Sequence, residues 1–274
     1  MTMPGFSRLI DISLRIVDPL DDHRLFDMHG DAAEMAARID ALMPSPGAGR
    51  CLLSAPAYYL LANGVIDMEA VNRFLLAQRR RCAQVIGVFG VVEPKYGDAA
   101  YEALERLARS GARGVIWSPR AQGIFGDAPL LADLVRKAHG VGLLSMVRAA
   151  PYSTNEALWR IWRLAEQCQE IPIIVSGALQ NFDSAQMIAQ SAGRHDNLYY
   201  DTAGWTASSF VPHLVNIIGA RLLFGTAGLE PSVAGAERLA SDLKHAGIGD
   251  RAISDLLSGN ASRLLSLNEG EVGA

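Results

Sequence analysis

The stretch QVIGVFGVVEPKYGDAAYEALERLARSGARGVIW, residues 84–117, decides the fold. It opens with an apolar, β-rich run from Gln84 to Val92, closed by Glu93-Pro94. An amphipathic stretch follows from Asp98 to Arg109, and Gly114-Val115-Ile116-Trp117 is a second short apolar run. Strand, helix and strand in succession make a βαβ unit, which joins parallel strands. Runs that are apolar throughout belong to a sheet covered on both faces.

The unit recurs in both directions. Upstream lie strand runs at 9–16 and 51–54, with helices predicted from the cap at Asp31 to near Pro44 and from 67 to 81. Downstream, strand runs at 142–147, 172–176, 197–201 and 221–225 follow the helix predicted over 128–138. Further helices are predicted over 155–169, from 183, over 206–218, 233–245 and 250–257. Eight βα units in about 250 residues match an α/β protein of the (β/α)8 TIM-barrel class. We therefore expect one domain over residues 1–274, with extra helices after the eighth strand. An open doubly wound sheet would have five or six strands and a Gly-rich fingerprint after the first. Neither is present.

Composition supports a large core: of 274 residues, half are hydrophobic and a fifth charged. The net charge of -4 is spread without blocks and gives no footprint for nucleic acid or an anionic membrane. No run is long enough to span a bilayer. The beginning, MTMPGFSRLIDISLRIV, lacks a signal-peptide pattern, so a cytoplasmic protein is expected. Cys51, Cys82 and Cys168 are odd in number, without CxxC spacing, and predict neither disulfides nor a zinc ribbon.

Chemistry in such barrels sits at the C-terminal strand ends and the loops after them. That rule selects Ser13 and Arg15, Ser54, Glu93, Trp117 and Arg120, Arg148, Ser176 and Gln180, Asp201 and Trp205, Thr226 and Glu230. Arg15, Arg120 and Arg148 would meet at the mouth, and guanidiniums there suit a carboxylate or phosphate held bidentately. Trp117, Tyr200 and Trp205 could supply flat walls, and Ser13 and Ser176 polar contacts. Glu93, Asp201 and Glu230 are the candidate acids and bases, if burial tunes them. The alternative is an internal network in which those carboxylates neutralise the arginines.

Several segments resemble the amidohydrolase-related family, the metal-dependent hydrolase and decarboxylase branch of the amidohydrolase superfamily. Ile10 to Arg15 is similar to its opening strand, IDxHxH, and Glu93-Pro94 through Val115 to its third-strand exit and the stretch ALERLxxxGxRGV. Asn197 to Gly204 resembles NLYxDTSG, Leu222 to Ala227 resembles LLFGSD, and Ser258 to Leu265 resembles xGNAxRLL. The resemblance implies a metal held by two histidines of strand one, one each of strands five and six, and an aspartate after strand eight. Here those positions read Ser13, Arg15, Arg148, Ser176 and Ala227. Hydroxyl, guanidinium and methyl groups are not divalent-metal ligands, so no cofactor is expected. A relocated site on His23 and His29, in the aspartate-rich first loop, is the remaining metal option.

Two functions follow. One is a metal-independent hydrolase or lyase acting on a small carboxylate or lactone. The other is a catalytically degenerate member that binds a metabolite or serves as a partner subunit. Trp159 and Trp162, with Leu158, Ile161 and Leu164, make the fifth helix apolar beyond one face, which predicts a homodimer.

Overall fold

The structure, a computed structural model, describes residues 9–15, 32–43, 49–55, 68–204 and 210–267. The strands are β1 (Ile10–Arg15), β2 (Arg50–Ser54), β3 (Val85–Val91), β4 (Gly114–Trp117), β5 (Leu144–Arg148), β6 (Ile173–Ser176), β7 (Leu198–Asp201) and β8 (Leu222–Leu223). They form one eight-stranded sheet in chain order, each strand parallel to the next. The seam is bridged by the Ile12 amide, which donates to the Phe224 carbonyl at 2.9 Å. This is the expected (β/α)8 barrel.

The outer layer comprises α1 (Ala32–Leu42), α2 (Met68–Arg81), α3 (Asp98–Arg109), α4 (Pro129–Gly140), α5 (Leu158–Gln167), α6 (Phe182–Ser191), α7 (Val211–Ile218) and α8 (Ser232–His245). After it come α9 (Asp250–Ser254), a π-helical turn over 255–259 and α10 (Asn260–Leu264). These last segments are the additional helices expected after strand eight. The outer helices pack on the sheet through apolar stripes; α3, for instance, turns Ala100, Ala103, Leu104 and Leu107 inward.

Two boundaries differ for identifiable reasons. The fifth helix was expected from Asn155, but α5 begins at Leu158. Asn155 is committed to the preceding βα loop: its Nδ2 donates to the Ile124 carbonyl at 2.6 Å, and its carbonyl accepts from the Gly126 amide at 2.8 Å. Strand eight is only two residues long, yet Phe224 and Gly225 remain bonded to neighbours through Ile12 and the Thr202 hydroxyl. The cap at Asp31 lies outside the described residues, as do His23, His29 and Trp205.

Strand register fixes which side chains enter the barrel, because neighbours in register share a face and successive residues alternate. Arg15 stands opposite Ser54, Ser54 opposite Phe89, Phe89 opposite Gly114, Gly114 opposite Leu144, and Arg148 opposite Ser176. This set faces inward, since Arg15 Nη2 crosses from β1 to donate to Ser176 Oγ on β6 at 2.8 Å. The alternate set faces the helices: Tyr200 accepts at its hydroxyl from Trp162 Nε1 of α5 at 3.4 Å.

Candidate functional site

At the inward ends of the strands, Ser13, Arg15, Ser54, Ser176 and Asp201 line the mouth, all buried. Gly225 lets them gather. A Cβ there would sit 2.3 Å from Ser13 Oγ and 3.4 Å from Asp201 Oδ2, so only glycine leaves room for both. Asp201 Oδ1 accepts from the Gly177 amide at 2.9 Å and the Ala203 amide at 3.3 Å. Among the described residues, Asp201 Oδ2, Ser13 Oγ and Ser54 Oγ are buried without a hydrogen-bond partner. Buried polar atoms are nearly always satisfied, so these three mark a place for a polar ligand atom or water.

The positive charges of Arg15, Arg120 and Arg148 all act on one carboxylate, Glu156, which carries no signal in the sequence. Glu156, buried in the loop between β5 and α5, accepts from the Arg120 amide at 3.2 Å. Burial raises its pKa above the ordinary carboxylate value, and the positive charges of Arg148, Arg120 and Arg15 partly offset that rise. Three cations around one carboxylate leave the cluster positive. Among the described residues, the half-buried Arg148 makes no hydrogen bond or ion pair. Glu156 gave no sequence signal because it sits eight residues past the end of β5, inside what reads as the following helix.

Of the carboxylates expected to neutralise the arginines, Glu93 and Glu230 make other contacts. Glu93, buried at the β3 exit, accepts from the Lys95 amide at 3.3 Å; its pKa is raised by burial. Glu230 pairs with Arg238 of α8 beside a cleft of about 550 Å³ that Thr202, Phe224 and Leu229 also line. Glu230 therefore stands apart from the arginine cluster. Asp11 is buried on the helix-facing side, opposite Cys51. It accepts from Thr226 Oγ1 at 2.5 Å, Ser232 Oγ at 2.7 Å and the amides of Ser13 and Thr226. It ties β1 to α8 and the loop before it rather than serving the mouth.

Trp117 requires a correction. Register places it with Val147 on the helix-facing side; it is fully buried, and its Nε1 donates to Ser145 Oγ at 3.1 Å. Tyr200 faces the same way. Neither forms a wall of the mouth. The cause lies in β4 itself: Gly-Val-Ile-Trp is apolar throughout, so its sequence carries no phase telling inside from outside.

The five positions at which the resemblance would place a metal hold Ser13, Arg15, Arg148, Ser176 and Ala227. Arg15 and Ser176 bond to each other. Among the described residues no group of three or more His, Cys, Asp or Glu could hold a metal ion. This donor set does not fit a divalent cation. Ala227 takes a left-handed φ of 54°, and the next residue must be glycine, because a Cβ on Gly228 would lie 2.0 Å from the Arg15 carbonyl.

Fold and site together define a (β/α)8 barrel with an arginine-lined mouth. No protein-family model matches the chain, and no curated protein matches its sequence. Solved structures do match. 2,6-Dihydroxybenzoate decarboxylase from Rhizobium superposes with a TM-score of 0.68 at 15% identity, over 95% of this chain and 99% of that one. 5-Carboxyvanillate decarboxylase from Novosphingobium aromaticivorans, complexed with manganese and 4-hydroxy-3-methoxy-5-nitrobenzoic acid, gives 0.65 at 12%, over 94% and 96%. A putative amidohydrolase from Staphylococcus aureus gives 0.62 at 14%, over 95% and 100%. At these identities the likeness is one of fold.

Proposed function

We propose that this chain is a divergent relative of the amidohydrolase superfamily that binds a small carboxylate at its barrel mouth, without a divalent metal. The observation that carries this reading is the convergence of Arg15, Arg120 and Arg148 on one carboxylate, with Arg148 otherwise unengaged. A half-buried guanidinium with no direct hydrogen-bond partner suits a ligand carboxylate. Neighbours in fold include a decarboxylase complexed with 2,6-dihydroxybenzoate, a ligand of that chemistry. The protein would act as a hydrolase or lyase on a carboxylate or lactone. Arg15, Arg120 and Arg148 hold the anion, Ser13 and Ser176 contact it, and Asp201 or Glu93 moves the proton. Asp201 is the better placed, because its unpartnered Oδ2 and Ser13 Oγ both lie against Gly225.

Calorimetric titration with 2,6-dihydroxybenzoate and with malonate tests the reading. We expect at least one to bind, and Arg148→Ala to weaken it at least tenfold, about 1.4 kcal/mol. The alternative, a degenerate binding subunit, shares this site and differs in showing no turnover of any carboxylate that binds. About one equivalent of zinc, manganese or iron per chain, in protein purified without added metal, would overturn the metal-free part. Three unpaired cysteines fit a reducing compartment.

A homodimer is part of the same proposal, resting now on less surface. Trp162 stacks on His195 with ring centroids 5.7 Å apart, whereas Trp159 is 42% exposed, with Arg160 lying over both it and Phe125. A monomeric mass in light scattering would remove it.

A further inference from the structure

Glu156 is an anion already seated where the proposed ligand would bind. Its carboxyl is buried in the β5–α5 loop and holds the backbone of the β4–α4 loop through the Arg120 amide at 3.2 Å. The charged groups facing it are Arg15 from β1, Arg120 from the β4–α4 loop and Arg148 from β5. Other charges nearby are otherwise engaged. Asp127 of the β4–α4 loop takes Arg160 at 2.6 Å and Arg163 at 3.5 Å, and on Glu156's own loop Tyr152 is 95% exposed.

Resting on the carboxylate-binding reading, we infer that Glu156 is the built-in counter-anion of the arginine cluster, and that a bound carboxylate takes over the arginines while Glu156 takes up one proton from solvent. The reason is a balance of opposing costs. Burial disfavours the Glu156 carboxylate, and the arginines, Arg148 foremost, keep that cost in check. A ligand carboxylate on Arg148 and Arg120 neutralises that support and adds a second negative charge beside the first. Two carboxylates crowded together share a proton rather than both ionise. Each binding event therefore carries one negative charge in and one proton with it. The consequence is selectivity by pH: the site takes its ligand more tightly in acid, even when the ligand's own charge does not change. Glu156 acts on the ligand through the arginines, as a positioning residue.

The test is calorimetry of the full chain with malonate or 2,6-dihydroxybenzoate in buffers of differing ionisation enthalpy, from about pH 6 to pH 8. We expect uptake of about one proton per ligand and an affinity falling up to tenfold per pH unit. In Glu156→Gln, which keeps an acceptor for the Arg120 amide, uptake should vanish and affinity become independent of pH. If that variant fails to fold, proton uptake by the wild-type protein still decides. Binding without proton uptake would overturn this inference alone. Failure of both probes to bind the wild-type protein would overturn the carboxylate-binding reading, and this inference with it.

Discussion

The contrast between Trp117 and Arg148 shows how much one pleat matters. Both stand at the C-terminal end of a strand, on neighbouring β4 and β5, yet one faces the helices and the other the mouth. The indole fills a wholly buried space and satisfies Ser145 Oγ. Trp117→Phe would leave that hydroxyl unpaired and a void beside it, at a cost of about 1–3 kcal/mol. We expect a lower urea midpoint with an unchanged slope, and malonate affinity within about twofold of wild type. A large loss of affinity with stability intact would return the indole to the binding surface. At this scale Arg15 and Arg148 are legible in the sequence because they close strand runs, and Arg120 because it lies in the loop that follows one. The phase of Trp117 and Tyr200 was not legible, because strands buried on both faces read as apolar on both.

Elements in this barrel are joined by a few side chains that satisfy the ends of their neighbours. Asn197, just before β7, donates from Nδ2 to the carbonyls of Ala165 at 3.2 Å, Cys168 at 2.9 Å and Ile171 at 3.2 Å. These lie at the end of α5 and in the turn after it, where helical carbonyls lack partners within the helix. Asn260 does the same from α10, donating to the Gly219 and Leu222 carbonyls, both at 2.7 Å, and so binds the terminal helices to β8. Asn197→Ala would strip the α5 end of its donor, costing about 1–3 kcal/mol. Thermal unfolding should fall by several degrees, with hydrogen exchange faster in the last turn of α5 and in β7. No change in exchange there would show the contacts to be incidental. The sequence displayed the units α5 and β7 themselves through their periodicity, but not this join. A loop asparagine between apolar runs looks the same whether it faces water or caps a helix twenty-nine residues earlier in the chain.

At the scale of the whole molecule, among the described residues three buried carboxyls have pKa values that burial raises, Asp11, Glu93 and Glu156, and one imidazole, His195, has a pKa that burial lowers. Asp11 and Glu93 lie at strand ends that the sequence marks, whereas Glu156 lies in a stretch that reads as helix. His195, in the turn before β7, is buried and stacked on Trp162 of α5. The carboxyls and the imidazole act on stability in opposite directions. For each raised carboxyl, the folded state holds its proton up to a higher pH than the unfolded chain does. Stability from that source is full below the ordinary carboxylate range and is lost as pH rises through the folded value. For His195 the unfolded chain takes the proton first, so stability falls as pH drops below about 6.5. The two effects oppose each other between the acid and neutral ranges, and a single substitution can isolate one of them. Glu93→Gln imitates the protonated carboxyl, and the Lys95 amide keeps an acceptor. The variant should therefore be more stable than wild type at pH near 7.5, where wild-type Glu93 bears the cost of ionising in a buried place. The advantage should shrink as pH approaches 4.5, the ordinary value for a glutamate, where the wild-type group is protonated as well. Urea unfolding of the two proteins across that range measures the difference directly. A gap that stayed constant with pH would mean that Glu93 stays ionised at no cost, and an advantage that grew towards acid would reverse the sign argued here.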